Sequence, residues 1–264
     1  DDHLLLLGVC KSLGQGDLAG LRFFLENQPM PLRAALCLEG DRLGRLSHNC
    51  LGTLRGEIRV ELPDDYDHSD YGALGAVGHL SEIAHRIQGI PIPRIPRTSI
   101  ILGSLRTGTT FNRVATSGIL RFEATSEDNT QVGTIHEQID EIVDEAHTGT
   151  GIDAQLRIVA RRNPGGIGYG HPLVKAELNV LKALGVEPKA QPSSGELSAL
   201  ADHGIPALTI GLTKGKKLQE TNESVKIEPI YSGLAQLLGL LEALDKGLCD
   251  EETLILQNQL LMRT

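Results

Sequence analysis

The rhythm of hydrophobic and polar positions changes twice along this chain. LLLLGV at 4–9 is apolar throughout, as a strand covered on both faces would be. DLAGLRFFLENQ from Asp17 sets Leu18, Leu21 and Leu25 on one helical face, and LRAALCLEG reads as a second buried strand. The first fifty residues therefore predict a β/α/β unit. A different order follows from Thr53: strand LRGEIRVEL, a helix over about 71–88, the Pro-rich connector GIPIPRIPR, and strands TSIILGSL and RVATSGILRFEAT joined by a turn at RTGTTFN. Helix TQVGTIHEQIDEIVDEAH and strand AQLRIVAR complete βαββαβ, the ferredoxin-like split motif, which suits an inserted domain.

After the Gly-rich connector RRNPGGIGYG the first rhythm returns. HPLVKAELNVLKALG is a helix with Pro172 in its first turn and Gly185 as its stop. GELSALADHG is a shorter helix, IPALTIG a strand, and EPIYSGLAQLLGLLEALDKG a long amphipathic helix ending at Gly247. The fold expected is α/β: an open mixed sheet with helices on both faces over 1–52 and 162–264, incomplete at its N-terminus, interrupted over 53–161 by a ferredoxin-like α+β domain. A fully apolar strand three residues in, with no initiator Met, reads as an internal segment of a larger parallel sheet, so a segment upstream of Asp1 is expected.

Composition narrows the function classes. The chain has 264 residues, a length that one large or two ordinary domains can fill. Aromatics are only 3% against 40% hydrophobic, so the core must be aliphatic. A net charge of −9 and the lack of a basic stripe argue against nucleic acid. Cysteines at 10, 37, 50 and 249 have neither finger spacing nor disulfide-scaffold density, which favours a reducing, cytoplasmic compartment. LLLLGVC is too short to span a bilayer, so no membrane partner is expected.

Familiar motifs fall away on inspection. GSLRTGTT has a phosphate loop's glycines, but it lacks the lysine and leads into a strand, where such a loop must open a helix. GGIGYG follows no strand in a βαβ unit and reads as a connector. The histidines of HLSEIAH, six residues apart, lie about 240° around a helix and cannot share a metal. His68, among the acids of ELPDDYDHSDYGALGAV, reads by itself as a solvated residue at a helix entrance.

The order of landmarks resembles the zinc-dependent exopeptidase and aminoacylase family, which includes acetylornithine deacetylase, carboxypeptidase G-type enzymes and peptidase T-like aminopeptidases. The segments that carry the resemblance are GDLAGLRFFLEN, LCLEGDRLGRLSHNCLGTLRGEIRV, DHSDYGALGAV, ILGSLRTGTTFNRVATSGILRFEATSED, SSGELSALADHGIPALTIG and TNESVKIEPIYSGL. They run in family order from about Leu4 to Ala243. The resemblance implies that the inserted domain is a lid and dimerisation domain. It further implies that His68 reaches into a partner's site to help hold an oxyanion, that Asn112 serves from a hairpin tip of the same lid, and that Arg162 receives a substrate carboxylate.

The implied metal site is where this sequence departs. Members hold two zinc ions through a histidine and an aspartate early in the chain, a glutamate, a later carboxylate and a C-terminal histidine, with an adjacent glutamate activating water. The early pair would lie upstream of this chain. Ser12 and Leu13 stand where paired glutamates belong, Gln219 stands where the last histidine belongs, and Glu39 alone matches a metal ligand. The expectation is a member without hydrolytic activity and with no cofactor. It keeps a possible pocket for an amino-acid or peptide-like carboxylate or amide, and dimerises through the inserted domain. One alternative is an active zinc hydrolase completed by an unseen segment, with Asp17, His48, Glu196 and His203 as replacement groups. Another is a structural dimerising subunit.

Overall fold

The computed structural model describes residues 3–10, 16–63, 74–216 and 222–250. In chain order the elements are α1 (Ala19–Asn27), β1 (Ala35–Glu39), β2 (Arg45–Ser47), β3 (Asn49–Cys50), β4 (Gly52–Glu61), α2 (Gly75–Gln88), β5 (Thr98–Thr107), β6 (Ser117–Ser126), α3 (Asn129–Thr150), β7 (Asp153–Arg162), β8 (Gly165–Gly166), α4 (Pro172–Ala183), β9 (Lys189–Ala190), α5 (Leu197–Asp202), β10 (Ala207–Gly211), β11 (Gly215–Lys216), β12 (Ser224–Val225) and α6 (Ile230–Asp245). They divide into two compact units, Asp1–Cys50 with Gly165–Thr264, and Leu51–Pro164.

Alternation along two five-residue strands builds the layers of the first unit. Its sheet runs β1-β10-β2-β9; β1 and β10 are parallel, β10 and β2 antiparallel, β2 and β9 parallel. Ala35, Cys37 and Ala207 turn to one face, against Leu21 and Leu25 of α1 and Leu197 and Leu200 of α5. Leu36, Leu46, Leu208 and Ile210 turn to the other, against Leu173 and Val174 of α4 and Leu240 of α6. The sheet is open and mixed with helices on both faces, as expected. Pro172 occupies the first turn of α4, where its missing N–H has no partner to lose, and His171 caps the helix by accepting from the Leu173 N–H.

The second unit packs α2 and α3 on one face of the antiparallel sheet β5-β6-β4-β7. Within β4, Leu54, Ile58 and Val60 face the helices, which contribute Leu80, Ile83, Ile87, Ile135 and Ile139. The opposite face of β4 carries Arg55, Glu57 and Arg59, tied across strands by ion pairs from Arg55 to Glu123 and from Arg121 to Glu57. The chain order βαββαβ and this strand order are those of the ferredoxin-like motif.

Two expectations need correction. LLLLGV forms no strand: residues 3–9 have no regular structure, and Leu4 and Leu6 are 75% and 88% exposed. An apolar run becomes a buried strand only where a neighbour takes up its hydrogen bonds, and among the described residues β1 pairs with β10 alone. The Gly-rich connector is more than a spacer. Gly165 and Gly166 pair with β3, and at Gly166, with φ of +127°, a Cβ would lie 2.3 Å from the His48 carbonyl oxygen. Among the described residues no helix is long and apolar enough to cross a membrane.

Candidate functional site

Open α/β sheets bind ligands beyond the carboxyl ends of their parallel strands. Glu39 and Gly211 end β1 and β10 side by side. The ladder then lays out two rows of residues across the sheet. In the first, Cys37 is paired with Thr209 and Thr209 with Ser47. One step on, Glu39 is paired with Gly211, and the antiparallel register continues to Arg45. Gly211 has no side chain, and the place a Cβ would take is filled by the Asp41 and Arg42 carbonyl oxygens of the turn that leads to Arg45. The Arg45 guanidinium reaches Glu39 and forms an ion pair with its carboxylate.

Arg45 is 4% exposed and its Nε donates to Ser47 Oγ at 2.8 Å. Thr209, 2% exposed, donates to Ser193 Oγ at 3.3 Å. Cys37 lies within this polar group. Burial pushes its thiol up to about 12, helped by the negative charges of Glu196 and Glu39 and opposed by a hydrogen bond with Thr209 and by the Arg45 charge. At neutral pH the sulfur is a neutral thiol, neither a nucleophile nor a ready metal ligand.

This donor set does not fit the metal centre implied by the resemblance. Glu39, the one matching ligand, is already neutralised by Arg45, and a fixed guanidinium repels a second cation. Among the described residues no three His, Cys, Asp or Glu side chains gather as a metal would require. Ser12, Leu13 and Gln219 lie outside the described residues.

The replacement candidates are dispersed. Glu196 is the N-cap residue of α5 and acts electrostatically on Cys37. His203 is at the other end of that helix, where its Nδ1–H donates to the Ala199 carbonyl at 2.8 Å. His48 donates from Nδ1 to the Ile167 carbonyl at 2.7 Å, which leaves Nε2 as the acceptor of the neutral ring. The Tyr169 ring meets it edge-on at 5.6 Å. Asp17 has a positive φ and its carbonyl accepts from Arg22 Nε at 3.3 Å.

Of the residues expected to bind substrate, Asn112 and Arg162 belong to the second unit. His68 lies outside the described residues. Asn112 stands in the loop between β5 and β6, beyond the pair Glu61–Ser117. That loop meets the start of α2, where Ala76 N–H donates to the Ala115 carbonyl at 2.8 Å. Arg162, 3% exposed, is paired with Thr53 at the opposite end of the sheet. From Thr53 to Glu61 the strand covers about 26 Å at roughly 3.3 Å per residue, so one copy of the chain does not bring Asn112 and Arg162 together.

Arg45 and Cys37 both lie in LCLEGDRLGRLSHNCLGTLRGEIRV, a segment that carries the resemblance, but the resemblance gives a role there to Glu39 alone. The available signal was an acid at a strand end followed across the turn GDRLG by a basic residue and Leu-Ser, an arginine in strand alternation.

Solved structures share this fold. A tripeptidase from Staphylococcus aureus superposes with a TM-score of 0.67 at 17% identity, covering 85% of this chain and 61% of its own. The aminopeptidase PepT from Bacillus cereus gives 0.63 at 17% identity, covering 88% and 62%. The fold is that of these peptidases. An amidase of the hydantoinase/carbamoylase family from Burkholderia vietnamiensis shares it too, at 0.62 and 13% identity over 79% of this chain and 54% of its own. The chain thus spans about three-fifths of the two peptidases and about half of the amidase. No family model and no curated protein sequence matches it.

Proposed function

We propose that this chain is a non-hydrolytic homologue of the zinc peptidases and amidohydrolases, which keeps their fold to bind an amino-acid or peptide-like carboxylate or amide. The observation that carries this reading is the Glu39–Arg45 ion pair, which engages the single residue matching a metal ligand. Zinc hydrolysis needs three or more protein ligands, an open position for water and a base. Here Ser12 and Leu13 stand where carboxylates belong, and Gln219 stands where a histidine belongs. No cofactor serves the chain in this reading.

Binding would use His68, Asn112 and Arg162, with a second copy of the chain bringing the two ends of the inserted sheet to one ligand. A guanidinium on a carboxylate is a charge-assisted contact, so Arg162→Ala weakens binding most. A ligand at a hundred times its dissociation constant adds about 2.7 kcal/mol to stability, which a thermal shift detects.

The test is an assay of the purified protein with acylated amino acids and dipeptides, beside elemental analysis. No turnover and no stoichiometric zinc are expected, and Ser12→Glu, Leu13→Glu and Gln219→His together do not create activity. Chelator-sensitive hydrolysis by the unaltered chain would overturn the proposal in favour of an active hydrolase.

A further inference from the structure

Arg45 is a charged side chain with 5% exposure on β2, separated from β1 and Glu39 by the intervening strand β10 at one pole of the sheet. A buried guanidinium needs a counter-ion and filled hydrogen bonds, because taking an uncompensated charge out of water costs more than packing returns. Both needs are met locally: Glu39 supplies the negative charge from β1, and Ser47 supplies an acceptor from β2. The arrangement spans β10 only because position 211 is glycine. A Cβ there would lie 2.2 Å from the Asp41 carbonyl oxygen and 2.3 Å from that of Arg42, in the turn that delivers Arg45.

We propose that the Arg45 guanidinium is the resident cation of this pole. It takes by covalent tether the place that a divalent ion would need, and it closes the pole to metals. A metal that claimed Glu39 would take from the buried guanidinium its ion-pair partner, leaving it the Ser47 hydroxyl as acceptor. The inference shares Glu39 with the non-hydrolytic reading and rests on it to that extent, but it concerns what holds the pole together rather than turnover.

The experiment follows thermal unfolding of the full chain with zinc or EDTA as the probe, then repeats it on Arg45→Met, Glu39→Gln, the double variant and Arg45→Lys. Neither zinc nor EDTA moves the midpoint of the unaltered protein. Arg45→Met lowers it by roughly 5 °C, the double variant falls well short of the sum of the single losses, and Arg45→Lys recovers part of the loss. A midpoint that rises with one equivalent of zinc or falls with EDTA would overturn the proposal even if Arg45→Met fails to fold. So would equal losses from Arg45→Met with Glu or Gln at position 39. Hydrolysis by a protein whose midpoint ignores zinc would refute the functional reading alone.

Discussion

Glu177 of α4 is fully buried, and Gln236 Nε2 of α6 donates to its carboxyl oxygen at 2.5 Å. Burial raises the carboxyl from 4.5 to about 7, against the lowering effect of that hydrogen bond. The folded state therefore holds this proton at pH values where the unfolded chain has released it. Stability is greatest below about 4.5 as far as this group is concerned, declines as pH rises, and levels off above 7. The full span is about 3 kcal/mol at 1.36 kcal/mol per unit. Glu177→Gln removes the ionisation, so urea midpoints for the variant should exceed those of the parent at pH 8.5 and converge with them at pH 5. At this scale the sequence was only partly legible. Glu39 could be picked out as an acid closing an apolar strand, but Arg45 acquires its meaning from a ladder whose middle strand comes over 150 residues later, at Ala207–Gly211. Glu177 looked like one more polar position on an amphipathic helix.

Two glycines show how differently an element treats the same change. In β10, buried along its whole length, a methyl at Gly211 would press on two backbone carbonyls that cannot rotate away. Gly211→Ala should cost about 2 kcal/mol by overpacking, and it should loosen the turn that holds Arg45. In α3, nothing lies within 4 Å of a Cβ at Gly133, so Gly133→Ala should stabilise by up to about 1 kcal/mol through helix propensity. Chemical denaturation of the pair checks both signs. The ten-residue strands β4, β5, β6 and β7 and the helices α2, α3, α4 and α6 were readable from period and stop signals, because each buries a continuous apolar face of its own. The two- and three-residue strands β2, β3, β8, β9, β11 and β12 were not. They exist where a distant partner offers hydrogen bonds, and no run that short carries a period. LLLLGV failed in the opposite sense, with the apolar signal present and the partner lacking among the described residues.

For the whole molecule, the proposed partner is a second copy joined through Leu51–Pro164. Within that unit, Leu74 and Val77 of the α2 region are 55% and 47% exposed, and Ile101 and Leu105 of β5 are 57% and 42% exposed. Among the described residues β5 pairs only with β6, so its outer edge is open to another strand. Light scattering should give twice the chain mass at micromolar concentration. Val77→Asp with Leu105→Asp should give the chain mass, without loss of the Leu80 and Ile83 core that lies beneath. A monomer at every concentration would reject the interface. The sheet that separates Asn112 from Arg162 then sets a rule for any small molecule that engages both: it binds the pair of chains, never one. Its apparent affinity is a property of protein concentration as much as of chemistry. Diluting the protein below its pairing constant should release the ligand, and adding ligand should in turn draw dilute chains together.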